Sequence, residues 1–270
     1  ETTETMHQPV DRVQPEKRPE KVTLEKKDPF SVLLLGVDKR ENDSGRSDTM
    51  VVLTVNPNTN SVKMLSIPRD TRVEIVGRDM EDKINHAYAY GGVAMSMATV
   101  ENFLDIPIDY YIEINMEGFK EIVDAVGGIE VNNEFTFTYE GKTFEEGTIQ
   151  LNGEEALAYS RMRYEDPRGD FGRQQRQRQI ISAIIKKGAS LSSLWNYSNI
   201  FDALGANVKT NLTFEEMVDI QQNYGSTAQK IEQYQIEGNG QRIDRIYYYI
   251  VSDEERKRLQ DLFRQHLELE

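Results

Sequence analysis

Cysteine is absent from the 270 residues. That removes a disulfide framework, a thiolate metal site and a cysteine nucleophile. Positive charge is in deficit: 32 basic residues against 46 acidic ones leave a net charge of −14. A general nucleic-acid-binding surface is therefore excluded, and an anionic ligand must be held by a local basic patch working against the global field. No apolar run approaches the roughly 20 residues that cross a bilayer as a helix; the longest is Val32–Val37. Glu1 in place of an initiator Met reads as a processed or trimmed chain, which leaves room for a signal or anchor upstream without showing one. There is no P-loop, no GxGxxG and no local Ser–His–Asp signature. Histidine is scarce as well: His7, His86 and His266 are the full set. His86, in INHAYAY, reads first as a histidine packed at a helix start and second as a general base.

Residues 1–28 carry Pro9, Pro15 and Pro19 among Glu, Lys, Arg, Gln and Thr. Such a composition cannot bury a core and predicts a solvated linker. From Pro29 the pattern changes. Ser31–Val37 reads as a fully buried strand, and Met50–Val55 and Val62–Ile67 as a hairpin joined by Asn56-Pro57-Asn58-Thr59-Asn60. Gly92–Leu104 has apolar residues at helical spacing. Tyr110–Ile114 is strand-like. Glu117–Val126 places Phe119, Ile122, Val123 and Val126 on one helix face, closed by Gly127-Gly128. Ile129–Val131 restarts a strand, and Asn152–Ser160 and Arg173–Lys187 read as helices. Thr213…Glu216 and Ser252…Glu255 have capping-box spacing. Strands interleaved with helices predict one α/β domain over residues 30–270, a three-layer sandwich around a mixed sheet.

Three groups of residues carry possible chemistry. Asp38 and Asp48 stand at the edges of two buried strands, with Arg46 between them. Carboxylates there suit Mg²⁺, which takes hard oxygen donors alongside waters and substrate phosphates. They suit turn capping too, and Arg46 reads equally as a surface partner of Asp48. Residues 161–178 hold six arginines against three acids, a local excess of +3. The guanidinium fork matches phosphate oxygens. Arg161 and Arg163 share a face if extended. Arg173 and Arg176 precede Ile180 by seven and four residues, which turns them inward at a helix start that already favours anions. Asp170 reads as the N-cap, and Arg178 falls towards the solvated side. Arg69, in LSIPRDT, ends a strand and points from the same sheet edge as Asp38 if the strands are neighbours.

The motifs LLLGVDKR, GRSDTMVV, LSIPRDT, KINHAYAYGG, DAVGGIEV, LNGEEALAYSRMR and GDFGRQQRQ, in this order between Phe30 and Lys187, resemble the LytR–CpsA–Psr family of Gram-positive cell-wall proteins, and most of all its teichoic-acid-attaching branch in bacilli. The resemblance implies one N-terminal membrane helix, not included in this sequence, with the domain on the outer, wall-facing side of the cell membrane. It implies a polyprenyl-pyrophosphate-linked glycopolymer as donor, its lipid tail in a hydrophobic pocket of the α/β core. The glycan phosphate passes to a muramic-acid hydroxyl of peptidoglycan, with Mg²⁺ assisting. By motif, Asp38 and Asp48 become metal ligands. Arg46, Arg69, Arg161 and Arg163 become pyrophosphate ligands, and Arg173, Gln174 and Arg176 belong to the same head-group region. Asp48 and Arg69 are the expected catalytic pair, with Asp48 a candidate proton acceptor. No motif is legible after Gly188. A pyrophosphate hydrolase, and a non-catalytic module that binds the lipid carrier, remain the competing readings.

Overall fold

The computed structural model describes residues 6–12, 17–38, 45–190 and 204–270. The single domain expected over 30–270 divides into two compact units, the larger formed by His7–Ile114 with Lys209–Glu270 and the smaller centred on Asn115–Val208.

The larger unit is built on a six-stranded mixed sheet. Its strands are β1 (Phe30–Asp38), β2 (Arg46–Asn56), β3 (Ser61–Ser66), β6 (Tyr110–Ile114), β11 (Val208–Thr210) and β12 (Ile231–Gln235), in the order β11-β6-β1-β2-β3-β12. The β1–β2–β3 meander is antiparallel, and β6 and β12 join it in parallel. Leu33, Leu35, Val52, Met64 and Leu65 are fully buried, and so are residues of the opposite alternation such as Ser31 and Thr54. Burial of both alternations explains why these strands read as continuous apolar runs. Helices α1 (His86–Leu104) and α6 (Asp253–His266) pack on β2, and their Met97, Val100, Leu104, Leu259 and Phe263 are fully buried. Two hairpins, β4 (Arg72–Ile75) with β5 (Met80–Lys83) and β13 (Asn239–Ile243) with β14 (Ile246–Ile250), are the other strands among the described residues of this unit. Helix α1 starts one and a half turns before the expected Gly92. The chain kinks at Gly91-Gly92, where φ +64° and ψ −153° at Gly92 belong to a region open to glycine alone.

Helix α5 (Phe214–Tyr224) carries the full capping box at Thr213 and Glu216. At Ser252 half of the expected box forms. The Ser252 hydroxyl accepts from Glu255 N–H, while the Glu255 carboxylate turns away to accept from Glu237 N–H and to bind Arg258. The described part of residues 1–28 is not a solvated linker. Arg12, Lys17 and Arg18 pair with Glu101, Asp105 and Asp109 at 2.9, 2.8 and 2.7 Å. A segment with few apolar residues is held here by matched charge, which composition alone does not reveal.

At the end of α6, His266 is buried between two hydroxyls: Nδ1 lies 2.7 Å from Thr54 Oγ1 and Nε2 2.8 Å from Ser61 Oγ. Burial, reinforced by Lys63, pushes its pKa from 6.5 down to about 4. The unfolded chain thus takes up a proton near pH 6.5 that the folded chain refuses until about pH 4. Stability is full above this window and falls as pH drops through it, by up to about 3 kcal/mol from this group. Denaturant unfolding at both ends of the window checks this: His266→Gln removes that share of the slope, leaving the carboxylates' share.

The smaller unit contains α2 (Met116–Ala125), β7 (Ile129–Asn133) paired with β10 (Gly147–Leu151), β8 (Phe137–Tyr139) paired with β9 (Lys142–Phe144), α3 (Gly153–Arg161) and α4 (Asp170–Ser190). Gly127 and Gly128 end α2 with φ of +85° and +80°, as expected of glycines there. The rings of Phe137, Phe144 and Tyr159 lie within 5.7 Å of one another, centre to centre, and belong to its core.

Candidate active site

In the larger unit, the β1–β2 pairing slips by one residue near its end. Gly36 faces Thr49 and Val37 faces Ser47, so Asp48 is left without an opposite number. Such a bulge re-aims the side chain of the extra residue. Gly36 permits the close approach, since a Cβ there would stand 3.0 Å from Thr49 Cβ. The Asp48 carboxylate is 44 % exposed and receives Arg69 Nη1 at 3.1 Å. Arg69 follows Ile67 and Pro68 at the end of β3, next to β2 in the sheet, so neighbouring strands do bring it to this edge. Asp38 ends β1, its backbone in register with Arg46. The Arg46 side chain lies outside the described set, as does most of the loop that follows Asp38.

The turn carrying Arg69 is fastened on its far side. Lys83 Nζ bridges to Asp70 at 2.8 Å, and the backbone N–H groups of Ile84 and Asn85 donate to the carbonyls of Thr71 and Arg69. Among the described residues no group of three or more His, Asp and Glu is placed to hold a metal. Two aspartates, one of them exposed on a bulge, nevertheless match the donor chemistry of Mg²⁺, which binds by one or two carboxylates and fills its shell with water and phosphate oxygens.

In the smaller unit, the arginines lie along the end of α3, a loop and the start of α4. Arg161 is the last residue of α3 and half exposed, and among the described residues its ion-pair partner is a distant one, Glu140, at 3.7 Å. Buried Met162 separates it from Arg163, whose guanidinium stacks at 4.8 Å over the ring of exposed Tyr164. A hydrogen bond from Arg163 to the Tyr164 hydroxyl raises the arginine's pKa further. Asp170 is the first residue of α4, and its carboxylate takes Arg173 at 2.8 Å and the Gln174 amide at 2.9 Å. Among the described residues, Arg173 Nε and Gln174 Oε1 are buried without a hydrogen-bond partner. That is a donor and an acceptor held ready in one helical turn.

Two arginines depart from expectation. Arg176 does turn inward, but so far that it is 3 % exposed. It donates to Asp166 Oδ2 at 2.7 Å and to the carbonyls of Tyr159 and Met162. A guanidinium so engaged supports the loop and does not face a ligand. Arg178, expected on the solvated side, is buried too, and burial pushes its pKa down to about 10. A 21-residue helix covered on several sides defeats the assumption of one apolar stripe.

The centre of this loop is Asp166, which the sequence reading passed over. Its side chain is fully buried and accepts from Arg168 N–H, Arg168 Nε and Nη2, and Arg176 Nη1. Burial alone would raise its pKa; the bonds from Arg168 and Arg176 outweigh that and hold the carboxyl at about 2. Gly172 makes room for it, since a Cβ there would stand 1.8 Å from Asp166 Oδ2. The sequence signal was available: an acid six residues before a glycine, amid arginines.

The LytR_cpsA_psr family model matches residues 1–265. The chain belongs to the LytR–CpsA–Psr family. The match runs well past Lys187, where the recognisable motifs stop, and takes in the last strands and helices of this LytR–CpsA–Psr chain. It is 54 % identical, over 99 % of its own length and 88 % of the relative's, to the polyisoprenyl-teichoic acid–peptidoglycan teichoic acid transferase TagU of Bacillus mycoides. A crystal structure from Enterococcus faecalis, named a transcriptional regulator, superposes with a TM-score of 0.85 at 44 % identity, covering 93 % of this chain and 92 % of that one. TagT bound to LIIa-WTA superposes with a TM-score of 0.81 at 35 % identity, covering 94 % and 96 %. The mixed sheet with its helices is thus the fold of solved LytR–CpsA–Psr proteins.

Proposed function

We propose that this chain is a phosphotransferase that moves a teichoic-acid-type glycopolymer from a polyprenyl pyrophosphate carrier to a muramic-acid hydroxyl of peptidoglycan. The observation that carries this reading is the Asp48–Arg69 pair, lifted out of the sheet by the bulge, in a chain more than half identical to transferases of that name.

The acceptor oxygen forms a bond to the glycan-side phosphorus. The bond from that phosphorus to the bridging oxygen breaks, and polyprenyl phosphate leaves with the electron pair. Phosphoryl transfer of this kind needs in-line positioning and neutralised charge more than covalent help. Arg69 is the fork for the reacting phosphate. Arg161, Arg163 and Arg173 are free enough to bind the pyrophosphate, with Gln174 beside them, while Arg176 acts as a positioning residue through Asp166. Arg46 belongs to the same pyrophosphate set by its place in the chain. Mg²⁺, held by Asp38 and Asp48, would neutralise charge on the pyrophosphate oxygens. With this reading go helices on both faces of the sheet, an apolar pocket for the polyprenyl tail, and an upstream membrane helix that keeps the domain on the wall side of the cell membrane. Among the described residues, no helix is long and apolar enough to cross a membrane.

The test mixes the protein with a short polyprenyl-pyrophosphate glycan, uncrosslinked peptidoglycan and Mg²⁺. Glycan covalently bound to the wall fraction, lost with EDTA and with Arg161→Ala, is the expected result. Release of polyprenyl phosphate without wall attachment would make the protein a hydrolase. Binding without any turnover would make it a carrier-binding module.

A further inference from the structure

An acid–imidazole pair, Asp82 and His86, stands next to the Arg69 turn and is not among the residues assigned above to the pyrophosphate. Asp82, on β5, is buried. Its Oδ1 accepts the Lys83 backbone N–H at 2.7 Å, and its Oδ2 accepts the Tyr90 hydroxyl at 2.6 Å and faces His86 Nδ1 at 2.9 Å. Burial would raise the Asp82 pKa, but the bonds from Tyr90, His86 and Lys83 outweigh it and keep the carboxyl below its ordinary value. An ionised carboxylate only accepts, so the hydrogen of neutral His86 sits on Nδ1 and the lone pair on Nε2. The His86 side chain is 25 % exposed, and among the described residues Nε2 has no hydrogen-bond partner. A histidine that merely packs at a helix start has its ring covered. This one is fixed in tautomer and orientation, with its basic nitrogen left open.

Its place in the fold matters as much. His86 is the first residue of α1, and the residue before it donates its backbone N–H to the Arg69 carbonyl at 3.3 Å. The side chain of Arg69 meets Asp48. The other charges around the pair are matched: Lys83 binds Asp70, and Arg78 stacks over the Tyr90 ring at 4.5 Å. The Tyr90 ring in turn meets the His86 ring edge to face. An acid orienting an imidazole whose far nitrogen is open is the arrangement of a general base.

We propose that His86 is the catalytic base of the transfer. Its Nε2 takes the proton of the acceptor hydroxyl while that oxygen bonds to phosphorus, and Asp82 stabilises the imidazolium until the proton passes to solvent. Asp82 and Tyr90 are positioning residues. Asp48, engaged by Arg69, is left to the phosphate side. This rests on the transferase reading.

The experiment measures single-turnover release of polyprenyl phosphate from a short polyprenyl-pyrophosphate glycan, with and without uncrosslinked peptidoglycan, from about pH 5 to 9. His86→Asn keeps an amide donor for Asp82 and removes the base. The rate is expected to fall at least about 100-fold, with donor affinity and melting midpoint unchanged and the acid limb of the pH profile gone. Asp82→Asn is expected to lower the rate with donor affinity and melting midpoint unchanged, because the imidazole loses the carboxylate that fixes its tautomer and orientation. A merely structural role would lower rate, affinity and midpoint together. An unchanged rate and limb in His86→Asn overturns the proposal. So does loss of the limb in Asp48→Asn instead, or a fall in rate matched by a fall in melting midpoint and donor affinity. Wild-type release to water alone would sink the transferase reading and leave His86 to be judged by the same variants with water as acceptor. Wild type with no release at all overturns both.

Discussion

Replacing Asp166 by alanine destabilises the smaller unit by about 3–5 kcal/mol, the cost of leaving a buried guanidinium without its counter-charge. The geometry is explicit. Arg176 is 3 % exposed and its shortest charged contact is Asp166 Oδ2 at 2.7 Å. Arg168 loses two side-chain bonds in the same substitution. The loop that starts around Arg163 and leads into the helix of Arg173 then has nothing to fold around. Equilibrium denaturation reads the loss, and Asp166→Ala combined with Arg176→Met recovers much of it, since removing both members of a buried pair costs less than removing one. Gly172→Ala produces a comparable loss by a different route, because its Cβ would occupy the carboxylate's place. The ion pair also sets an acid limit. The Asp166 carboxyl is held at about 2 against an ordinary 3.8, so its contribution is present above about pH 4 and is lost as pH falls through 2. A destabilisation below about 1 kcal/mol in Asp166→Ala would refute this account of the loop.

Replacing Arg69 by alanine lowers kcat/KM for transfer by about 100- to 1000-fold, the usual loss when a preorganised donor to developing charge is removed. Arg69→Lys restores little of it, because a single ammonium cannot copy a planar fork. The fold tolerates both changes, since the Arg69 side chain is 30 % exposed and its partner, Asp48, lies at the surface. The melting midpoint should therefore stay in place while turnover falls, with carrier binding weakened less than turnover. Equal losses in binding and turnover would make Arg69 a ground-state ligand only. An unaffected rate would remove it from the site. The contact with Asp48 gives a second readout. With Asp48 in the proposed role of Mg²⁺ ligand, Asp48→Asn should raise the Mg²⁺ concentration needed for half-maximal rate more than it weakens carrier binding.

Much of the order of both units was legible in the sequence. The β1–β2–β3 meander, the strand Tyr110–Ile114 and the helix before Gly127-Gly128 came from local chemistry: apolar runs, a proline-asparagine turn, 3.6-residue spacing and a glycine pair that accepts positive φ. The capping box at Thr213 was legible for the same reason, as both partners lie within one turn. Its counterpart at Ser252 was half wrong because Glu255 found Glu237, 18 residues away. The N-terminal segment was misread because its binding energy sits in acids about 90 residues downstream.

The sequence by itself determined the family, the kinds of side chain in the site and most of the elements that carry them, because motif order, periodicity and turn chemistry act over a few residues. Tertiary structure alone decided which charges are available. It lifted Asp48 out of register and set Arg69 on it, buried Arg176 and Arg178, made Asp166 the hub of the arginine loop, and turned His86 from a packed residue into an oriented imidazole. Each of those outcomes depends on desolvation and on a partner from another strand or helix. Neither quantity exists until the chain has folded.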